Sequence, residues 1–375
     1  MSNDHSKDAI FNKLDELFPA GVFDGYTSSS DQHPNASADQ IGTAKAISGN
    51  TSDKGYRKLV ASRNITSYSK TELLHACPRL FELEMWKSNS KIMPSENEAA
   101  NIDFAFGHAV GAGTQTYGTT RSVQASMFAA FMAWRAPWDA EKLDFRGNPT
   151  GKSLAWACHA VEKFAFWFEN TLAGEWEVLV LPNGKPAVEL AFGVDTQNGY
   201  FHVGHVDTIL QHRESKRLAV WEGKTTGRET VDDATYANSY QALGYSVVVD
   251  ALTQQFGLPA SDYEVFYITY SSKSREFIFL PFPKSASQRA EWLQDLLLTH
   301  AMLDKYQELE FFPKRGDNCI NKWGRKCTWY GTCHMRNESL FPGTQLVKID
   351  SLDQIESLDF RFTLEQLIAG QRNRK

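Results

Sequence analysis

Three charged residues lie in two neighbouring apolar segments, and their types and spacing suit metal-dependent chemistry. Asp207 occurs in GHVDTIL, and Glu222 and Lys224 occur two residues apart in VWEGKTT. Residues two apart on a strand share a face, so Glu222 and Lys224 should project together while Trp221 points to the opposite side. Because unpaired charge within an apolar strand is costly, a function for these side chains is favoured over a solvated hairpin edge with one ion pair.

The polar segment QHRESKR separates the two strands and is typical of a hairpin turn. A turn centred near residues 214–215 would set Asp207 across from Glu222, close enough to share an ion. Two carboxylates on rigid strands suit Mg²⁺ or Mn²⁺, which prefer oxygen ligands. Such an ion lowers the pKa of a bound water and neutralises phosphodiester charge, and Lys224 can orient that water or stabilise the transition state.

The periodic patterns around these strands predict the fold class. Helical spacing gives way to β-branched or alternating segments, which are followed by a helix, two strands and a helix. The predicted helices cover residues 103–117, 123–134, 153–172, 233–252 and 285–309, and the predicted strands are EWEVLVL, PAVELAFGV, YFHVGHVDTIL, RLAVWEGK, YEVFYITY and EFIFLPF. This order is typical of an α/β fold with a central mixed β-sheet flanked by helices and a helical region before it.

The same patterns divide the chain into an arm, a domain and a tail. Residues 1–60 are predicted to be disordered or weakly ordered, because almost nothing apolar occurs between Gly25 and Gly55. The domain is expected over residues 61–336, and a C-terminal tail is expected over 337–375. Within the domain, we expect a helical part, a core that carries the three charged residues and a cysteine segment, at residues 61–173, 174–310 and 311–336 respectively.

Composition argues against several classes of protein. Hydrophobic residues are 42% of the chain, enough for a substantial core, and the net charge of −6 provides no global basic field for a nucleic acid. No run of about 20 apolar residues and no secretory leader occur, so we expect no membrane association and a cytoplasmic location. The five cysteines are an odd number without an export signal, which favours free or metal-bound thiols over disulfides.

The order of the motifs resembles the RecB-like branch of the PD-(D/E)XK nuclease superfamily. GHVD, a hairpin and WEGK followed by TTG carry the resemblance, and YQALGY matches the branch's Q-x-x-x-Y motif. The resemblance spans residues 66–336 and implies a restriction-endonuclease-like core with an N-terminal helical insertion and a C-terminal cysteine-rich cluster segment. It implies a catalytic set of Asp207, Glu222, Lys224, Gln241 and Tyr245.

Gln241 and Tyr245 are four residues apart and therefore share one helical face. In the family, this pair lies beside the active site and contacts the nucleic acid. Taken alone, the two residues also fit an ordinary half-buried helix face.

The resemblance also implies further metal ligands and shows one departure from the family. Glu189, in PAVELAF, stands where a further acid of these enzymes often falls. The family carries G-x-x-x-H on an early helix, but this chain has Gly107 and then Gly111 at the histidine position. His108 lies one turn back and can substitute for it, although a capping or packing role is the alternative. The implied metal ligands are Asp207, Glu222, Glu189 and His108.

Three cysteines occur together in CINKWGRKCTWYGTC, a segment with few apolar residues to bury them. A closed tetrahedral or cubane site needs a fourth thiol, and Cys77 is the candidate. Its Cys-Pro-Arg setting resembles the first cluster ligand of the iron–sulfur nucleases of the AddB type and of CRISPR adaptation. The resemblance implies a [4Fe–4S] cluster on Cys77, Cys319, Cys327 and Cys333, with Zn²⁺ as the alternative. Cys158 is expected to pack in a helix.

Basic residues beside these cysteines form a candidate nucleic-acid contact. The predicted contacts to phosphate are Arg79, Lys322, Arg325 and Lys326, with a solvated surface as the alternative.

The function that the resemblance implies is a Mg²⁺/Mn²⁺-dependent DNA exonuclease. We expect it to act in recombination, repair or phage DNA processing, on DNA and with a helicase or recombinase as a candidate partner. The alternatives are a structure-specific endonuclease on the same core and a catalytically inactive DNA-binding or scaffolding protein. The missing family histidine favours inactivity, and the intact acids and lysine argue against it.

Overall fold

The structure is a computed structural model, which describes residues 64–89, 102–135, 151–257, 263–320, 326–331, 333 and 358–372. The predicted arm at residues 1–60, together with Lys322 and Arg325, lies outside the described residues. The helices are α1 (Tyr68–Ala76), α2 (Pro78–Asn89), α3 (Ile102–Thr120), α4 (Val123–Arg135), α5 (Leu154–Thr171), α6 (Ala234–Ala237), α7 (Tyr240–Gln255), α8 (Ala286–Glu308) and α9 (Leu364–Arg372). The strands are β1 (Asn64–Ser67), β2 (Trp176–Val178), β3 (Val188–Asp195), β4 (Tyr200–His212), β5 (Leu218–Thr226), β6 (Tyr263–Ser271), β7 (Phe277–Lys284) and β8 (Phe360–Thr363).

A mixed sheet organises these elements in the order β7-β6-β5-β4-β3-β8, and β1 and β2 also pair with β4. Three of the pairings are parallel: β1 with β4, β5 with β6, and β3 with β8. The hairpins β3–β4, β4–β5 and β6–β7 are antiparallel. The predicted α/β class with a helix-flanked mixed sheet is therefore confirmed.

Helices cover both faces of the sheet and bury its apolar side chains. On one face, α7 and α8 pack on the sheet through residues such as Val220, Val248 and Leu293, each at most 1% exposed. On the other face, Phe164 of α5 stacks on Trp221 of β5 with ring centroids 5.0 Å apart. Because side chains alternate along β5, Val220 is buried against α7 and α8 whereas its neighbour Trp221 is buried against α5 on the opposite face.

Helices α3, α4 and α5 form the helical layer in front of the second face. Their packing is closest at Gly113 of α3, where an added Cβ would lie 2.3 Å from Cγ2 of Val161 and 3.3 Å from Cβ of Ala130. Only glycine allows this approach, which fixes α3 against its neighbours. Among the described residues, no helix is both long and apolar enough to cross a membrane.

Two segments differ from the sequence prediction. The helix predicted over residues 233–252 is divided into α6 and α7, because Ser239 has an extended backbone and its hydroxyl caps α7 through the N–H of Ala242. Part of the predicted C-terminal tail forms β8 and α9, whose Phe360, Phe362 and Leu367 are buried in the core. Strand β8 lies parallel to β3 and covers that edge of the sheet.

Candidate active site

The β4–β5 hairpin brings the two predicted acids together. Its register pairs Gln211 with Leu218 and Thr208 with Trp221, which centres the turn on residues 214–215 as predicted. One step further in the same register, Asp207 faces Glu222. The register therefore places the two acids opposite each other at the end of the hairpin pairing.

The two strands separate at this point. Pairing between β4 and β5 covers only residues 208–211 and 218–221, after which β4 remains paired with β3 and β5 with β6. The side chain of Asp207 enters the opening, and the backbone N–H of Gly223 donates to its Oδ2 atom at 3.1 Å. The Asp207 carboxylate therefore takes the place of the backbone carbonyl that would accept from Gly223 if the β4–β5 pairing continued. This hydrogen bond holds the Asp207 side chain in position.

Glu222 is the more deeply buried acid, with 1% of its surface exposed. Its Oε1 atom forms an ion pair with Nζ of Lys224 at 2.5 Å, and Lys224 keeps 35% of its side chain exposed. The second carboxylate oxygen, Oε2, is buried and has no hydrogen-bond partner among the described residues. A buried carboxylate oxygen without a donor is costly, and a bound cation would relieve that cost.

Gln241 and Tyr245 of α7 extend this polar chain away from the acids. Nζ of Lys224 donates to Oε1 of Gln241 at 3.4 Å, and Nε2 of Gln241 donates to the Tyr245 hydroxyl at 2.6 Å. Tyr245 is 2% exposed, so it acts on the site through Gln241 rather than through a surface of its own. The amide of Gln241 is thereby fixed with its oxygen towards Lys224.

Burial and neighbouring charges shift the pKa values of Asp207 and Lys224. Burial raises the pKa of Asp207 well above its usual range, and Glu222 and Glu189 add to the rise, whereas Lys224 and the N–H of Gly223 lower it. Burial alone would lower the pKa of Lys224, but Glu222 and Asp207 outweigh it and the net shift is upward. The shifts thus favour the charged form of Lys224 and the neutral form of Asp207.

Glu189 and His108, the other predicted metal ligands, occupy different positions around the acids. Glu189 is an exposed residue of β3, and its carboxylate accepts from Nε2 of Gln115 at 2.6 Å. His108 is exposed on α3, and the neighbouring Gly111 leaves open space, since an added Cβ there would meet nothing within 4 Å. Among the described residues, no three His, Cys, Asp or Glu side chains already form a group that could hold a metal ion.

Except for Tyr245, the predicted catalytic and metal-binding residues line one cleft of about 1300 Å³ between α3 and the open end of the β4–β5 hairpin. Its described charged lining consists of five acids and two lysines: Glu72, Asp103, Glu189, Asp207, Glu222, Lys152 and Lys224. Both lysines already pair with acids of the cleft, Lys152 with Asp103 at 2.6 Å and Lys224 with Glu222. The described lining therefore has an excess of acids, which disfavours a polyanion unless cations are bound.

The four predicted cluster cysteines lie in one neighbourhood of the fold. Burial raises the pKa of the Cys327 thiol, the Trp329 backbone lowers it, and Cys333, Cys77 and Cys319 each raise it further, as thiols close to one another do. The N–H of Cys327 donates to the carbonyl of Cys319 at 2.8 Å. The segment also docks on α2, where Nε1 of Trp329 donates to Glu84 at 2.7 Å.

Cys158 lies apart from this group, on α5. It is half-buried, and burial raises the pKa of its thiol.

Of the predicted nucleic-acid contacts, Arg79 is placed differently from the prediction. It is 4% exposed, and its guanidinium pairs with Glu82 one helical turn away. A side chain with so little surface suits a structural role in α2 rather than contact with phosphate. Lys326 is exposed, and its Nζ lies 5.7 Å from the centroid of the Tyr330 ring.

Sequence reasoning missed Gln115, which contacts two of the site's acids. Its Nε2 atom bonds Glu189 and also lies 3.5 Å from the backbone oxygen of Asp207. The signal was the spacing Gly107, Gly111, Gln115, which places the three residues on one face of α3. That face lines the cleft.

The chain is similar to a known protein family and to solved structures. The sequence model of the PD-(D/E)XK nuclease superfamily matches residues 65–334. No curated protein matches the chain. Among solved structures, the chain is similar to the one described as "Crystal structure of SSO0001", at 12% identity and a TM-score of 0.20, over 58% of this chain and 83% of that chain.

Replacement of Asp207 by asparagine should stabilise the metal-free protein. Because the pKa of Asp207 is raised by folding, its contribution to stability is complete below its unfolded pKa of about 3.9 and is lost as the pH rises through the folded pKa. Asparagine stays neutral and can still accept from Gly223. Melting in EDTA should show Asp207→Asn more stable at neutral pH by on the order of 1 kcal/mol, or a few degrees, with the gain shrinking towards about pH 4.

A matched control for this measurement is Asp359→Asn. Asp359 also accepts a backbone N–H, from Ala191 at 2.8 Å, but it lies beside Lys185 rather than beside other acids. It should show no such gain. Equal or lower stability of Asp207→Asn than of the wild type at every pH would contradict the electrostatic description of the site.

Proposed function

Because the chain belongs to the PD-(D/E)XK nuclease superfamily, and is on that ground a metal-dependent nuclease, we propose that it is a DNA exonuclease that uses Mg²⁺ or Mn²⁺. The observation that carries the proposal is the meeting of Asp207, Glu222 and Lys224 where β4 and β5 separate. Two carboxylates and one cation at the floor of a cleft suit phosphodiester hydrolysis. The same three residues argue against a catalytically inactive scaffold.

The chemistry of the donors fits a hard divalent cation. Asp207 and Glu222 would hold the ion, since both line the cleft and Oε2 of Glu222 is buried without a hydrogen-bond partner in the described part of the chain. Glu189 is a further candidate ligand, because it lies close enough to raise the pKa of Asp207. When bound, the ion would lower the pKa of a water molecule and neutralise charge on the scissile phosphate.

Lys224 and Gln241 would supply the remaining contacts to the reacting groups. The ammonium of Lys224 is held by Glu222 and Gln241, and about a third of its side chain remains exposed to the cleft. From this position it would orient the attacking water or stabilise negative charge on the transferring phosphoryl group. Tyr245 fixes the amide of Gln241 and so acts as a support for Lys224.

DNA is the proposed substrate, and the exonuclease mode rests on the likeness of the motifs to the RecB-like branch. The cleft itself is acidic, so phosphate binding inside it would depend on the bound ions. Basic residues near the cysteine segment, of which Lys326 is described and exposed, would contact the DNA outside the cleft. On the same likeness, the proposed setting is recombination, repair or phage DNA processing in the cytoplasm, alongside a helicase or recombinase.

We further propose that Cys77, Cys319, Cys327 and Cys333 hold a [4Fe–4S] cluster. Four thiols in one neighbourhood fit the donor set of such a cluster, and also that of Zn²⁺. Cys77 precedes strands β2 to β7 and the other three cysteines follow them, so a shared cluster would join segments about 240 residues apart in the chain. The role of the cluster would be structural, since the segment that contains three of the ligands has few apolar residues to form a core.

The nuclease proposal predicts loss of activity at the three central residues. Asp207→Ala, Glu222→Ala and Lys224→Ala should each lower kcat by at least about 10²-fold, because each removes a ligand or a charge used in the transition state. The assay is digestion of end-labelled linear DNA with Mn²⁺ and with EDTA. Lys163→Ala, which breaks the exposed Lys163–Glu276 ion pair, is the matched control and should keep full activity.

Closed circular DNA separates the two modes of cleavage. An exonuclease releases the label from linear DNA and leaves circles intact, whereas linearised circles would establish the endonuclease alternative. Wild-type rates in all three alanine variants would contradict the assignment of the site.

The cluster proposal predicts a selective pattern of iron loss. Anaerobically purified wild-type protein should be brown and contain about four iron atoms per chain. Cys77→Ser and Cys333→Ser should lose iron and melt at lower temperature, because the link between the two segments is broken. Cys158→Ser is the matched control and should keep its iron, since that thiol lies apart on α5. Colourless protein with one zinc per chain would instead establish zinc, and full iron in Cys77→Ser would contradict the four-cysteine site.

A further inference from the structure

We propose that Gln115 is a positioning residue of the metal site, which holds the Glu189 carboxylate beside Asp207. The inference rests on the proposed metal-dependent function and adds a role for a residue outside the catalytic motifs. Gln115 lies on α3, in a different layer of the fold from the strands that carry the acids. Its amide is thus a link between the helical layer and the sheet.

The contacts of the amide reach both acids. Nε2 of Gln115 donates to Oε1 of Glu189 at 2.6 Å and lies 3.5 Å from the backbone oxygen of Asp207. An amide nitrogen carries two hydrogens, so one group can address both acceptors. Because glutamine is neutral, it orients a carboxylate without neutralising it or competing with it for a cation.

The backbone at Glu189 explains why its side chain needs a support. The β3–β4 register pairs Val188 with Thr208 and Leu190 with Val206, so Glu189 and Asp207 lie opposite each other outside the regular pairing. Glu189 has φ of 48°, a left-handed conformation that costs a non-glycine residue on the order of 1–2 kcal/mol. This irregularity directs an otherwise exposed carboxylate towards Asp207, and Gln115 is the group that fixes its rotamer.

Asp103 and His108 of α3 also line the cleft, but the residues one and two turns before Gln115 are glycines. Gly107 and Gly111 have no side chains, and the space in front of Gly111 is open. Asp207 and Glu222 supply two carboxylates, whereas a divalent cation benefits from additional oxygen ligands or ordered waters. A Glu189 carboxylate held in place would provide one, and groups that orient metal ligands typically contribute 10–100-fold to metal affinity.

The test is a titration of the full-length, DNA-free protein with Mn²⁺. Binding is measured as the decrease of the electron paramagnetic resonance signal of free Mn²⁺. Gln115→Ala should weaken Mn²⁺ binding by about 10-fold and leave the melting temperature of the metal-free protein unchanged, because alanine preserves the helix. Gln197→Ala is the matched control. It removes an equivalent bond, from Nε2 of Gln197 to Glu365 at 2.8 Å, remote from the cleft, and should bind Mn²⁺ like the wild type.

A double-mutant cycle tests whether Gln115 acts through Glu189. Glu189→Ala should weaken Mn²⁺ binding, and Gln115→Ala should have no further effect in that background. Unchanged Mn²⁺ affinity in Gln115→Ala, or full additivity of the two changes, would overturn the positioning role. If the wild type binds Mn²⁺ weakly and Asp207→Ala does not change that affinity, the metal site itself would be contradicted.

Discussion

The separation of β4 and β5 after residues 208 and 221 is the constraint on which the candidate active site depends. An antiparallel pair that continued would have filled this space with ladder hydrogen bonds. Because the strands part, Asp207 takes one of the freed backbone donors, Gly223, and Glu222 is left facing the gap. The opening is preserved by the partners of each strand, since β4 stays paired with β3 and β5 with β6. The regular sheet thereby supports an irregular site.

The charges at the opening form a group that is incomplete without a cation. Glu222 is buried, and within the described ranges only one of its oxygens is paired, with Lys224. Removal of Lys224 would leave the buried Glu222 carboxylate uncompensated, whereas Lys224 itself keeps 35% of its side chain exposed. A divalent cation would satisfy the second oxygen of Glu222 and relieve the raised pKa of Asp207 in one step.

Local patterns predicted the parts of this site that depend on local geometry. The hairpin and the facing of Asp207 and Glu222 follow from the period of two along a strand and from the length of the turn. Burial of Arg79 did not follow, because the segment that packs against it is distant in sequence: the N–H of Arg79 donates to the carbonyl of Pro313 at 3.1 Å. The same limit hid β8, which pairs with β3 across more than 150 residues of sequence, and Gln115, whose partners lie on other elements. Contacts of that kind are set by packing rather than by periodicity.

The most direct test of the metal site is to locate the ion without reference to activity. Crystals soaked in MnCl₂ and measured at an energy where manganese scatters anomalously would show where the ion binds. If the opening between β4 and β5 is the site, the strongest anomalous peak will lie about 2.0–2.6 Å from carboxylate oxygens of both Asp207 and Glu222, with Oε2 of Glu222 among them. A strongest peak elsewhere in the molecule, with Oε2 of Glu222 still without a partner, would contradict that description.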